Sequence, residues 1–273
     1  MKLGLISSAW LGTSVDTVRG IQLTKEIGFD TIDIFADPLE TTRQELTNIR
    51  ETCARSQLPV VSTVCCALGI ADFNVPVRRF HVDRAKRYLD LAYDLHGKNL
   101  LLVVGEYIWN QEVIAPSDQW NWAVEGVRQL GEYAAELGLE IAVEIEPFHL
   151  SIVNNVDKMD RFLKNVGLNS VKANIDISHL VLAKDAPERV NVLCGRIAHV
   201  HLSDCDGKKH GDLPPGLGVV DFPPYLRALA GCGFDGAVSI ELEYSPEPAK
   251  IVEWVKDAYR STSEIMGSLG IRS

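Results

Sequence analysis

Basic residues are in deficit, 27 Lys and Arg against 37 Asp and Glu, giving a formal charge of −10 over 273 residues. That balance disfavours a broad phosphate-binding surface, so nucleic acid is not an expected partner. No apolar run approaches membrane-spanning length, and the N-terminal MKLGLISSAW enters a strand-like pattern without the apolar stretch of a leader. Neither membrane contact nor a signal segment is expected. Cysteine is scattered, at Cys53, Cys65, Cys66, Cys194, Cys205 and Cys232, with no C-x-x-C pair. These read as reduced thiols of a soluble cytoplasmic protein. The glycine-rich G-x-G-x-x-G turn is missing too, the first turn being SSAWLGTS, which argues against a doubly wound dinucleotide-binding sheet. There is also no linker, low-complexity tract or composition break, so residues 1–273 are expected to form a single domain.

What is present is alternation. With 46% hydrophobic and 23% charged residues the chain can bury a large core. Strand-like runs at residues 3–8, 29–36, 59–68, 99–107, 140–146, 171–180, 196–204 and 236–244 are each followed by a helical pattern. Eight strand-plus-helix units in this length satisfy the arithmetic of an α/β (β/α)₈ TIM barrel, in which the carboxyl ends of all strands meet on one face.

Four of the later strands end in ionisable residues. Residues 143–148 read VEIEPF, 171–180 VKANIDISHL, 198–204 AHVHLSD and 238–243 VSIELE. Charge at the end of a buried strand is costly to desolvate, and a metal or a polar substrate is the usual compensation. Taken singly, a Glu on a barrel strand is well explained by an ion pair, and His199 by a core imidazole bonded to a neighbour. Four strands ending this way are not, and one divalent metal is expected. Carboxylates with one imidazole suit Mn²⁺, Mg²⁺ or Co²⁺ and also admit Zn²⁺. Residues i and i+2 of a strand face the same way, so parity does not choose between Glu144 and Glu146, His199 and His201, or Glu241 and Glu243.

The motifs I-D-I-S-H, H-L-S-D and G-F-D-G-A-V-S-I-E resemble the xylose-isomerase-like TIM-barrel superfamily, and the resemblance covers essentially the whole chain. That superfamily holds sugar isomerases, 3-epimerases of the D-tagatose/D-psicose type, inosose and 3-dehydroshikimate dehydratases, and endonuclease IV. It implies a metal held by Asp176, His201, Glu241 and a strand-five glutamate, with His179 contacting substrate. At strand five E-P-F-H favours Glu146, whereas the spacing from Gly138 favours Glu144; Glu146 is the residue expected. The trinuclear site of the endonuclease branch needs histidines after strands two and three, and the first His here is His81, inside a helix. The basic residue that the epimerase branch places after the strand-seven His is met only loosely, by Lys208, Lys209 and His210.

The resemblance thus implies a metal-dependent isomerase or epimerase of a small sugar or keto-polyol, with Glu146 and Glu241 as catalytic acid and base on either side of an enediolate. Loss of a β-hydroxyl from the same species would instead give a dehydratase, and a barrel without catalysis is the reading from another class. A homo-oligomer, dimer or tetramer, is expected. Glu106, Trp109, Trp120 and Trp122 lie near the strand-four exit, where an indole can stack on a sugar face, although the helical spacing of Trp122 also suits the core. Cys65 and Cys66 end strand three, and residues 206–224 are long enough for a substrate lid.

Overall fold

The computed structural model describes every residue except Tyr244, Pro246 and Ser273. Tyr244, the last residue of the eighth strand-like run, therefore lies outside the described residues. Eight parallel strands close into a ring in sequence order: β1 (Lys2–Ile6), β2 (Thr31–Ile34), β3 (Val60–Cys66), β4 (Asn99–Val103), β5 (Glu140–Glu144), β6 (Val171–Asp176), β7 (Ile197–Leu202) and β8 (Ala237–Ile240). The ring closes where Lys2 to Leu5 pair with Ala237 to Ile240. Around it stand α1 (Thr17–Ile27), α2 (Arg43–Arg55), α3 (Val75–Asp94), α4 (Pro116–Glu136), α5 (Val156–Val166), α6 (Ile177–Ala183), α7 (Phe222–Gly231) and α8 (Ile251–Ser268).

Local chemistry sets the helix ends. Asp16 accepts from the Arg19 amide at the start of α1, Thr42 and Glu45 form a capping box on α2, and Asn155 accepts from the Lys158 amide on α5. Gly28 closes α1 with φ of 117°, a conformation that other residues rarely adopt.

Three apolar clusters result. The largest lies between strands and helices and draws on most elements. A second, with Ile21, Ile32, Ile34, Ile49 and Leu91, packs β2 against α1, α2 and α3. The third, Ile6, Val64, Leu101 and Val103 with Phe35 against them, fills part of the barrel interior. Many other inward positions are polar: Thr31 and Asp33 on β2, Asn174 and Asp176 on β6, His199 and His201 on β7, and Ser239 on β8, all buried. Gly4 lets that interior close, since a Cβ there would stand 2.4 Å from Ser239 Oγ and 2.6 Å from Thr31 Oγ1.

Two expectations change. Residues 177–180 continue the apolar run of β6 but form the first turn of α6, because the Asp176 side chain accepts from the His179 amide and caps a helix there. The six cysteines are not all free thiols: Cys194, just before β7, is joined to Cys232, just before β8. Cys53, Cys65, Cys66 and Cys205 are free. Among the described residues no helix is long and apolar enough to cross a membrane.

Candidate metal centre

Four side chains converge at the carboxyl ends of adjoining strands. Glu144 closes β5, Asp176 closes β6, His201 is the penultimate residue of β7, and Glu241 follows β8. One ligand atom from each falls within 4.8 Å of all the others, and all four residues are buried. His201 Nδ1 is 3.2 Å from Glu241 Oε2 and 3.4 Å from Glu144 Oε1. Glu144 Oε1 also accepts from Asn174 Nδ2 at 2.9 Å, across the β5–β6 register that pairs the two residues. Asp176 spends Oδ1 on the α6 cap, and its Oδ2 is buried with no hydrogen-bond partner among the described residues.

Three carboxylates and one imidazole out of water make an unbalanced group. Burial pushes the Glu241 carboxyl well above its usual range, although His201 pulls the other way. Burial alone would lower the His201 imidazole, yet Glu241, Asp33 and Glu144 hold it well above its ordinary value. A divalent cation would settle both imbalances, and the orphaned Asp176 oxygen gives it a ready ligand. The donor set is oxygen-rich with one nitrogen and no thiolate, which fits Mn²⁺, Mg²⁺ or Co²⁺ and accommodates Zn²⁺.

At strand five the structure brings Glu144 into the group, where the sequence reading favoured Glu146. The strand ends at Glu144, and two residues later the Glu146 amide already bonds to Val153 O at 3.0 Å, so the chain has turned into the loop before α5. Glu146 is left half-buried beside the group, in the field of His179, Glu144, Asp176 and Glu243. Burial and the neighbouring carboxylates push its carboxyl up to about 8, against the pull of His179.

His179 stands outside the four-donor group. Its Nδ1 donates to Ile145 O at 2.7 Å, which leaves the buried Nε2 with no partner among the described residues. Burial opposes its charge, but Asp176, Glu146, Glu144 and Glu241 raise its pKa to about 10. The His210 ring lies 4.6 Å from it, with Phe148 on the far side at 5.7 Å. His210 Nε2 in turn is 3.2 Å from Asp212 Oδ1. Asp212 is buried with φ of 42°, a strained conformation for an aspartate, and burial with the Asp176 charge raises its carboxyl to about 8.

The segment at residues 206–224, long enough for a substrate lid, is tied back to the end of β7 near its second half. The Asp204 carboxylate accepts four backbone amides, from Cys205, Gly216, Gly218 and Val220, at 2.9 to 3.0 Å. Asp204 and Leu213 also pair as an isolated antiparallel bridge. Sequence reasoning missed Asp212, Asp33 and the full role of Asp204. Asp33 was visible in the alternation of TIDIF, whereas Asp212 reaches the site only through the loop's path.

The remaining candidates separate. Trp120 is buried and donates to Asn165 Oδ1, Trp122 is half-buried under the Arg78 guanidinium, and Trp109 is exposed beside Phe73. Glu106 bridges to Ser151. Cys65 is buried, while Cys66 is exposed at the end of β3. His199 is the core imidazole expected of it, with Nε2 2.8 Å from Asp33 Oδ2.

The profile of the xylose isomerase-like TIM barrel family matches residues 21–262. An inosose dehydratase of Geobacillus thermodenitrificans is 26% identical over 212 residues, covering 67% of this chain and 70% of that protein. A D-psicose 3-epimerase of Ruminiclostridium cellulolyticum is 25% identical over 251 residues, covering 88% and 83%. Among solved structures, the IOLI protein with a bound zinc atom superposes with a TM-score of 0.85 at 20% identity, over 98% of this chain and 99% of that one.

Proposed function

Because the chain belongs to the xylose isomerase-like TIM barrel family, we propose that it is a divalent-metal-dependent epimerase or isomerase of a small sugar or keto-polyol. The observation that carries this reading is the buried convergence of Glu144, Asp176, His201 and Glu241. These four would hold the ion, which supplies Lewis acidity to a substrate carbonyl and its neighbouring hydroxyl. β5 and β8 are three strands apart in an eight-strand ring, so Glu144 and Glu241 approach the bound carbon from different walls. One can take a proton from the carbon beside the carbonyl while the other returns it on the opposite face. His179, with its free Nε2, binds a substrate hydroxyl, and Glu146 holds or receives a proton next to it. Exposed Leu68, Phe73, Trp109 and Val113 on the loops after β3 and β4 support the homo-oligomer expected from the sequence.

A dehydratase reading is favoured by one observation of its own, the His210–Asp212 pair beside His179. An Asp212 carboxyl raised to about 8 can itself give a proton to a departing hydroxyl, beside a His210 imidazole that burial and the His179 charge hold below its ordinary value. An inosose dehydratase is also among the relatives. A panel of ketoses, aldoses and inososes incubated in D₂O with the Mn²⁺-loaded protein and read by NMR tests both readings. Deuterium in a stereoisomer or in an aldose–ketose pair is the expected result; loss of water from a cyclic substrate without exchange would promote the dehydratase. Inertness across the panel with metal bound would overturn catalysis altogether.

A further inference from the structure

Asp33 lies inside the barrel on β2, fully buried, and plays no part in the chemistry above. The geometry points to Asp33 as a positioning residue for the centre, one that fixes the His201 ring with its Nε2–H turned toward β2 and its Nδ1 lone pair turned toward the three carboxylates. The inference rests on the metal reading and adds to it the group that sets the ligand's tautomer.

A neutral imidazole carries one N–H, and the nitrogen that binds a cation must be the bare one. His201 presents Nδ1 to Glu241 and Glu144, and a cation bound among those carboxylates would take that nitrogen's lone pair, leaving Nε2 to carry the proton. That nitrogen has no hydrogen-bond partner among the described residues, and Asp33 Oδ2 faces it at 3.6 Å. That separation is beyond hydrogen-bond length, and the inferred bond forms when a cation fixes the ring through Nδ1. The same oxygen already takes the Nε2–H of His199 at 2.8 Å. The two rings lie 5.2 Å apart at 78°, so both turn Nε2 toward one carboxylate from two sides. Asp33, His199 and His201 are each 0% exposed, which leaves solvent no access to satisfy either ring. Metal-bound histidines elsewhere rely on such a carboxylate to hold ring orientation and raise basicity. The competing account is a core ion pair between Asp33 and His199 that serves the barrel alone.

Two measurements separate these accounts. In the isotope-labelled wild-type protein loaded with Zn²⁺, ¹⁵N NMR should show His201 protonated at Nε2, with a low-field proton from its bond to Asp33; protonation at Nδ1 would overturn the inference without any variant. In metal-stripped protein, Asp33→Asn should bind Mn²⁺ and Zn²⁺ roughly 10- to 100-fold more weakly in chelator competition, the range seen when such partners are removed. His199→Gln should change that affinity much less, since His199 is not one of the four donors of the centre; an equal loss in His199→Gln would move the ion to the group of Asp33, His199 and His201 and overturn the inference. If Asp33→Asn lowers Tm but leaves the affinity of the folded protein unchanged, Asp33 belongs to the barrel alone. A wild-type protein that takes up neither ion overturns the metal reading itself, an outcome distinct from a tightly binding wild type with an equally tight Asp33→Asn.

Discussion

Glu144 and Glu146 share strand parity, and the choice between them turned on a single backbone event. β5 stops at Glu144 because Ile145 O accepts from His179 and the Glu146 amide pairs with Val153, partners that are 34 and 7 residues away. Nothing in VEIEPF encodes either contact, so the local pattern narrowed the ligand to two residues and could go no further. By contrast Asp176, His201 and Glu241 sit where strand alternation and family motifs coincide, and the structure brings all three together. Glu144→Gln should weaken Mn²⁺ binding by about 10- to 100-fold, whereas Glu146→Gln should bind nearly as wild type; equilibrium dialysis with metal analysis checks both. His179→Ala should cost roughly 10²-fold in kcat, the scale of a misplaced substrate, while metal content stays near one ion per chain by the same analysis.

Helices and strands were legible as types because apolar periodicity is a local property. α6 was the exception: ISHLVLA continues the apolar character of VKANID, and short buried helices and strands look alike in sequence. The cap supplied by Asp176 decides the matter, which ties the position of His179 to a ligand side chain. The segment after β7 was legible as irregular but not as tied back, since the tie comes from one carboxylate gathering four amides. Asp204→Ala should cost about 1–3 kcal/mol through unsatisfied donors, with hydrogen exchange at Gly216, Gly218 and Val220 accelerating ahead of the barrel amides. Gly218→Ala should act in the same direction, because the added Cβ would stand 2.2 Å from Asp204 Oδ1 and Cys205 O. In either variant KM should rise more than kcat falls, since His210 and Asp212 lose their placement while the four donors keep theirs.

At the scale of the molecule, eight alternations sufficed to read the barrel, and the charge it concentrates at one mouth governs its response to pH. In the metal-free protein His179 stays protonated up to about 10 and Glu146 up to about 8. Unfolded, they titrate near ~6.5 and ~4.3, so the folded state binds more protons in both windows. The stability they contribute is complete below the unfolded values and is lost as pH rises through the folded ones. Metal-free Tm should therefore fall as pH climbs from roughly 5 to 10, and saturating Mn²⁺ should flatten that slope in thermal melts. The covalent join of Cys194 to Cys232 escaped the sequence reading because its partners are 38 residues apart and show no motif. It turns everything between them into a closed loop that includes the exposed Lys208 and Lys209. Trypsin cutting there would sever the peptide chain without releasing either part: the nicked protein should run as one band on a non-reducing gel and separate into two fragments only once a reductant is added.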